Sequence, residues 1–168
     1  MDNNFLTLFR TGLLTESTGL DQILQTNEQS AQHGLRITPS DAAELAETRR
    51  TVLKDLDRIE FGGATIVRLI EAFCDSAYIN QDEYAEVLQE LLTLFYTYKN
   101  ETLDQIPDDL LISLMRTYFE ERCHGSLELL AGRELDRMAR NIRFGRHYDD
   151  DGEDMTVTED EENENDNC

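Results

Sequence analysis

The sequence predicts an all-α fold: a single domain in which six or seven helices pack as a bundle or an irregular array, followed by a disordered acidic C-terminal tail. Leu occurs 23 times and Val four times among the 168 residues, and this composition favours helices over strands. Apolar residues recur at three- and four-residue spacing, and no alternating segment is longer than three or four residues. Both prolines precede such periodic segments, at the positions where helices begin.

Three helices are predicted before the first pair of glycines. The first two, over Phe5–Arg10 and Leu20–His33, are each followed by a glycine that suits a helix C-terminus. The third begins at Thr38-Pro39-Ser40-Asp41, which predicts an N-cap residue, a proline at the first helical position and an acidic residue near N3. Its apolar periodicity continues through Ile59, so this helix is expected to end near Glu60.

Two further helices are predicted in the middle of the chain. Gly62-Gly63 indicates a turn, and residues 66–74 then form a short helix that is apolar on more than one face and is therefore expected near the centre. Asn80 and Glu83 have the spacing of a second capping box. They precede the most regular apolar stripe, Tyr84–Tyr98, whose helix is expected to end near residues 99–100.

The last two predicted helices follow the second proline. Pro107-Asp108-Asp109 places acidic residues in the first turn of one helix, which is expected to stop at Gly125. Ser126 is the expected N-cap of the other, which continues to Gly145. Gly132 inside this helix costs about 1 kcal/mol relative to Ala, which makes it the position where a bend or break can occur.

The net charge of -21 is unevenly distributed along the chain. Residues 149–168 contain eleven of the 36 acidic side chains and no Lys or Arg, so residues 1–148 carry -10. The same segment contains three hydrophobic residues, too few to offset the entropy of ordering it. We therefore predict an all-helical domain, residues 1–148, and a disordered acidic tail, residues 149–168.

Charge and cysteine content exclude several classes of protein. A strongly acidic chain argues against generic nucleic-acid binding and against a polybasic membrane contact. The sequence has neither an apolar run long enough to span a bilayer nor a signal-peptide pattern. Cys74, Cys123 and Cys168 are far apart and form no CxxC pair, which fits reduced thiols, with Cys74 and Cys123 buried among apolar residues. We expect a cytoplasmic protein with no membrane contact.

No catalytic residue, cofactor site or metal site is predicted. The segment Asp149-Asp150-Asp151-Gly152 fails as a calcium loop because its first and twelfth positions would lack carboxylates. Glu121 and His124 have the spacing used by di-iron bundles, but neither of the other two histidines has a Glu three residues before it. Adjacent Cys123 and His124 would point about 100° apart on a helix, so they do not form a nucleophile–base pair.

Two features are candidate partner contacts. Five arginines recur along the last predicted helix: Arg133, Arg137, Arg140, Arg143 and Arg146. They form either a solvated helix face or a contact surface for an acidic partner or nucleic acid, and the acidic tail that follows could fold over them and compete with an external anion. Tyr96 lies off the core stripe and either presents an exposed aromatic contact or packs between helices.

Five blocks along the chain carry a family resemblance: Arg58-Ile-Glu-Phe-Gly62, Ala72-Phe-Cys-Asp-Ser-Ala-Tyr-Ile79, Phe95-Tyr-Thr-Tyr-Lys-Asn-Glu-Thr102, Asp108-Asp109-Leu110 and Cys123-His-Gly-Ser126. In these blocks the chain resembles an uncharacterised bacterial family that is known only as a domain of unknown function, over roughly residues 5–145. The resemblance implies a small, cytoplasmic, helical protein. It implies no catalytic residue, ligand or reaction.

These observations predict a non-enzymatic helical protein-interaction or regulatory module that contacts a protein partner through its acidic surface and tail. One alternative is an enzyme with a carboxylate-based site between helices, which requires two or more buried acids with mutually shifted pKa values. Another is weak binding of nucleic acid or another polyanion through the arginine-rich last helix, gated by the acidic tail. A third is an acidic decoy that occupies a basic groove of another protein.

Overall fold

The N-terminal part of the structure is an interrupted helical segment. The computed structural model describes residues 19–151, in which helix α1 covers residues 19–25 and helix α2 covers Asn27–Ser30, followed by a 3-10 turn at Ala31–His33. Gly34 ends the segment with φ of 77°, a conformation that favours glycine. The predicted helix at Leu20–His33 is thus confirmed with an interruption, while the one at Phe5–Arg10 lies outside the described residues.

Helix α3 spans Pro39–Asp55 and begins as the sequence predicts. The Thr38 hydroxyl accepts a hydrogen bond from the Asp41 N–H, and the Asp41 carboxylate accepts one from the Thr38 N–H, so the capping box is confirmed. The predicted end near Glu60 is wrong. The helix stops earlier because Asp57 adopts a left-handed φ of 53° and the chain continues as an irregular loop.

Helices α4 and α5 contribute much of the core. Helix α4 spans Ala64–Phe73 and helix α5 spans Tyr84–Glu101, and α5 packs against both α3 and α4. The predicted central position of α4 is confirmed by its buried apolar residues: Ile66, Leu69, Ile70 and Phe73.

The capping box predicted at Asn80 and Glu83 is wrong. The Asn80 side chain makes no capping hydrogen bond, and Gln81–Glu83 forms a 3-10 turn before α5. The physical reason lies outside the local sequence. The Gln81 amide accepts from the Arg36 N–H and donates to the Arg36 carbonyl, which holds this turn against the segment that precedes α3.

Two helical segments that contain π-helical turns complete the described chain. Helix α6 spans Asp108–Thr117 and continues as a π-helical turn, Tyr118–Arg122. After Ser126, whose hydroxyl accepts from the Leu129 N–H as predicted, the chain forms helix α7, a second π-helical turn and helix α8. These three elements span Leu127–Leu129, Leu130–Leu135 and Asp136–Arg143. The bend expected at Gly132 is therefore a π-helical turn, and the two π-helical turns pack against each other.

The predicted fold class is confirmed for the part of the chain that the structure describes, since residues 19–151 contain helices and no strand. No helix in this range is both long enough and apolar enough to cross a bilayer. Cys74 and Cys123 are buried as predicted, and burial raises the pKa of both thiols, so neither is an activated nucleophile. Cys168 lies outside the described residues.

Replacing Gly132 by Ala is expected to raise the free energy of unfolding by up to about 1 kcal/mol, because Ala restricts the unfolded chain and favours the helix. A Cβ at this position meets nothing within 4 Å beyond its own helix backbone. Urea denaturation measures the change, and Ala131→Gly in the same turn serves as the control with the opposite sign. A loss of stability in Gly132→Ala would show that the π-helical turn requires glycine.

Candidate functional site

Three arginines of the C-terminal part of the fold converge on one buried carboxylate. Glu134 Oε2 lies 3.2 Å from the Arg122 guanidinium and 2.8 Å from that of Arg137. Its other oxygen, Oε1, lies 2.8 Å from Arg133 Nε. The Glu134 side chain is 6% exposed, whereas the guanidinium-bearing side chains around it are partly exposed. We call Arg122, Arg133 and Arg137 the arginine cluster.

The arginine cluster keeps Glu134 ionised. Burial acts to raise the pKa of this carboxyl group, but hydrogen bonds from Arg133 and Arg122 and the charge of Arg137 outweigh burial, so its pKa is lowered. A carboxylate in this setting orients guanidinium groups and does not supply a proton near neutral pH. Glu134 therefore organises the site, with the three arginines as its outward-facing groups.

Residues at the start of the predicted tail cover two members of the arginine cluster. The Asp149 carboxylate accepts a hydrogen bond from the Tyr118 hydroxyl at 2.6 Å and lies 3.4 Å from the Arg122 guanidinium. The Asp151 carboxylate contacts the Arg137 guanidinium. Burial, together with Asp149, raises the pKa of Tyr118, so the phenol remains a hydrogen-bond donor.

The backbone that leads to these acids is fixed from helix α8. The Asn141 amide donates to the carbonyl oxygens of Tyr148 and Asp150, at 3.3 and 2.8 Å. Residues 149–151, which the sequence assigns to the tail, thus contact the helical domain. The rest of the predicted tail, residues 152–168, lies outside the described residues.

The five predicted arginines do not act as one face. Arg133 and Arg137 meet at Glu134, and Arg143 pairs with Glu101 on α5 at 3.1 Å. Arg140 and Arg146 are exposed and have no acidic side-chain partner among residues 19–151. The spacing of arginines along the last helix does not identify Arg122 as a member of the cluster. This residue lies in the preceding π-helical turn and reaches Glu134 only because the two turns pack together.

Tyr96 is not a surface contact. It is 1% exposed, and its hydroxyl donates to Glu60 Oε1 at 2.8 Å. Burial and the bond to Glu60 raise its pKa to about 12. The alternative interpretation, packing inside the fold, is what the structure shows, because the loop that carries Glu60 covers this side of α5.

The loop after α3 is held in place by two polar side chains, Arg58 and Glu60. Two guanidinium nitrogens of Arg58 donate to the two carboxylate oxygens of Asp104, at 2.6 and 3.0 Å. Glu60 Oε1 accepts from the hydroxyls of Tyr96 and Thr65, at 2.8 and 3.0 Å. These bonds attach the loop to α4, to α5 and to the turn that follows α5.

Large apolar side chains alternate with these polar anchors and face solvent. Ile59 is 86% exposed and Phe61 is 95% exposed. Leu103, next to the Asp104 that holds Arg58, is 72% exposed. The sequence placed Ile59 on a buried helix stripe, and this is wrong because the helix ends at Asp55. We call Ile59, Phe61 and Leu103 the apolar loop surface.

Among the residues that the structure describes, no two acids are buried together as a carboxylate-based active site requires. Within residues 19–151, Glu134 is the one buried acidic residue. Glu60 and Glu120 are partly buried and contact Arg49 and Arg116 in two separate clusters. A cavity of about 240 Å³ between α1, α3 and the turn at residues 62–63 has no acid among its described lining residues, and the acids that line two larger cavities, of about 460 and 510 Å³, are all solvent-exposed. No group of three His, Cys, Asp or Glu side chains in the described range is placed to bind a metal ion.

Comparison with known proteins identifies a family and no activity. A family model matches residues 22–148, and it is described as a family of unknown function, DUF6323. The matched range includes the apolar loop surface and the arginine cluster, and it stops one residue before Asp149. No curated protein and no solved structure matches the chain.

Proposed function

The chain belongs to DUF6323, a family that brings no activity with it, and we propose from its own residues that it is a non-enzymatic helical protein-interaction or regulatory module. The observation that carries the proposal is the apolar loop surface. Its large side chains are exposed on a loop that side-chain hydrogen bonds hold in one conformation. Such a loop is suited to contact a partner without prior rearrangement.

The energetics of this loop favour a binding role. Full burial of a side chain such as Phe or Ile contributes about 1.5–3 kcal/mol, and aromatic anchors often dominate protein interfaces. A loop that is already fixed loses less conformational entropy when it binds. Arg58 and Glu60 provide this fixation, because they bind to neighbouring elements on both sides of Ile59.

The charge around the apolar loop surface indicates the chemistry of the partner. Asp55, the last residue of α3, and Asp57, in the loop, are exposed and outnumber the exposed Lys54 beside them, whereas Asp104 beside Leu103 is already paired with Arg58. A partner segment with apolar side chains flanked by Lys or Arg would match both the apolar surface and its acidic rim. We therefore propose this rim as the part of the acidic surface that contacts the partner.

Crosslinking in cells tests this proposal. Phe61 is replaced by the photo-crosslinking residue p-benzoylphenylalanine, and Leu129, a less exposed apolar residue on α7, receives the same replacement as the control. The proposal expects a defined heterologous protein crosslinked from position 61 and absent from position 129. If position 61 gives no adduct, or gives the same adducts as position 129, the apolar loop surface is not the docking site.

Polar substitutions in the apolar loop surface are expected to weaken binding of the partner. Ile59→Ser combined with Phe61→Ser is expected to weaken binding of the crosslinked partner at least about tenfold, or about 1.4 kcal/mol. Each change is expected to alter the free energy of unfolding by no more than about 0.5 kcal/mol, because both side chains are solvent-exposed. Calorimetric titration and urea denaturation measure the two quantities, with Leu129→Ser as the control. Unchanged affinity in the double variant would contradict the proposal.

A further inference from the structure

We infer that the arginine cluster is a binding site for a phosphoryl dianion, and that Asp149 and Asp151 occupy this site in the intact chain. The inference concerns a surface separate from the apolar loop surface and goes beyond the proposed interaction function. Its basis is a set of hydrogen-bond donors that are held in place by buried groups and already bind carboxylates.

The donors are positioned before any external ligand binds. The buried Glu134 carboxylate contacts all three guanidinium groups, at 2.8 to 3.2 Å. The Arg122 guanidinium also lies over the Tyr118 ring, 4.6 Å from its centroid. The hydroxyl of the same ring points to Asp149. Guanidinium and phenol groups fixed in this way are the donors that bind phosphate and carboxylate oxygens in proteins.

The carboxylates of Asp149 and Asp151 show where an oxyanion would lie. The Asp149 carboxylate accepts a hydrogen bond from the Tyr118 hydroxyl and lies beside Arg122, while the Asp151 carboxylate contacts Arg137. Both acids are partly or fully exposed, so they form the solvent side of the cluster, opposite the buried Glu134. An external anion that reaches the same donors must displace them.

Charge balance favours a dianion as the external ligand. The three arginines and Glu134 together carry +2, and Asp149 and Asp151 bring the total to zero. A phosphate monoester carries about -1.5 to -2 near pH 7 and presents three acceptor oxygens, so it replaces both carboxylates at nearly the same total charge. The strongly acidic chain opposes a long polyanion more than a single phosphoryl group.

The two acids act as an intramolecular competitor. The Asn141 amide holds the backbone around residues 148–150, which keeps both carboxylates at high effective concentration near the arginines. The family match ends at residue 148, so the donors lie inside the matched range and the two acids outside it. Weakening the hold of Asp149 and Asp151 should therefore uncover the site.

Titration of the full chain with inorganic phosphate tests this inference. Binding is followed through the side-chain Nε–Hε NMR signals of the arginine cluster, with sodium chloride at matched ionic strength as the reference salt. Asp149→Ala combined with Asp151→Ala is expected to bind phosphate about tenfold more tightly than the unmodified chain, since two ion pairs and a hydrogen bond no longer compete. The control, Glu86→Ala with Glu90→Ala, removes two exposed acids from α5 and should bind phosphate like the unmodified chain.

Further variants locate the site. In the Asp149→Ala, Asp151→Ala background, Tyr118→Phe removes one hydroxyl and is expected to weaken phosphate binding several-fold while the fold is retained. Arg137→Gln in the same background is expected to weaken it further. Equal affinity of the unmodified chain and the double variant would overturn the inference. So would phosphate binding that survives both site substitutions, or an absence of phosphate binding in every variant.

Discussion

Replacing Gly125 by Ala is expected to lower the free energy of unfolding by about 2–5 kcal/mol. Gly125 has φ of 83°, where an L-residue with a Cβ costs roughly 1–2 kcal/mol. A Cβ here would lie 2.5 Å from Tyr78 Cβ, an atom next to the backbone that cannot rotate away, and relief of such a contact typically costs a further 1–3 kcal/mol or so. Urea denaturation of the two proteins measures the difference.

Gly34→Ala is the matched control for this experiment. Gly34 has a similar φ of 77°, but a Cβ at this position meets nothing within 4 Å. Gly34→Ala is therefore expected to lower the free energy of unfolding only by the cost of placing Ala in a left-handed conformation, about 1–2 kcal/mol. Equal losses in the two variants would contradict the close approach of Tyr78 to Gly125.

Gly125 lies where its substitution should also change the geometry of the arginine cluster. Gly125 lies between the π-helical turn that carries Arg122 and the helical segment that carries Glu134. A shift of the backbone at this point should alter how the two turns pack. We therefore expect Gly125→Ala, and not Gly34→Ala, to change the NMR signal of the Arg122 side chain.

Local signals in the sequence predicted most helix starts because their physics is local. Thr38 and Ser126 bind N–H groups three residues away, so the amino-acid pattern contains both partners of each bond. The end of α3 differs, because Asp57 adopts a left-handed φ of 53° there while Ile59 still continues the apolar spacing, so periodicity does not mark the end. The loop that follows is held through Arg58 by Asp104, 46 residues later in the chain, and no periodicity contains that bond.

In the arginine cluster, too, the sequence predicts the local contacts and not the long-range ones. Arginine spacing identified Arg133 and Arg137 as a pair on the last helix, and the structure brings both to Glu134. In the sequence Glu134 is only an acid that interrupts a basic run, and Arg122 belongs to a different helix. Their meeting depends on the packing of two π-helical turns, which single-sequence periodicity does not predict.

Replacing Glu134 by Gln is expected to lower the free energy of unfolding by about 1–3 kcal/mol at pH 7. Loss of one partner from a buried ion pair typically costs about 3–5 kcal/mol, and partial exposure of the arginine cluster reduces the cost here. The variant retains the side-chain shape but leaves three neighbouring guanidiniums without their central negative charge. Glu101→Gln is the control, since its pair with Arg143 is exposed and should contribute less than about 1 kcal/mol.

The stability difference between the unmodified chain and Glu134→Gln is expected to depend on pH. Because the pKa of Glu134 is lower in the folded protein than the ordinary value of about 4.3, ionised Glu134 contributes its full stabilisation above that value. The contribution is lost as the pH falls through the lowered pKa, where Glu134 becomes protonated and resembles Gln. Urea denaturation should therefore show a difference between the unmodified chain and Glu134→Gln that is constant above about pH 5 and shrinks on acidification below about pH 4.3. Other paired carboxylates, such as Asp104, protonate in both proteins and largely cancel in the difference. A difference that stays constant down to complete protonation would mean that Glu134 acts through packing and not through its charge.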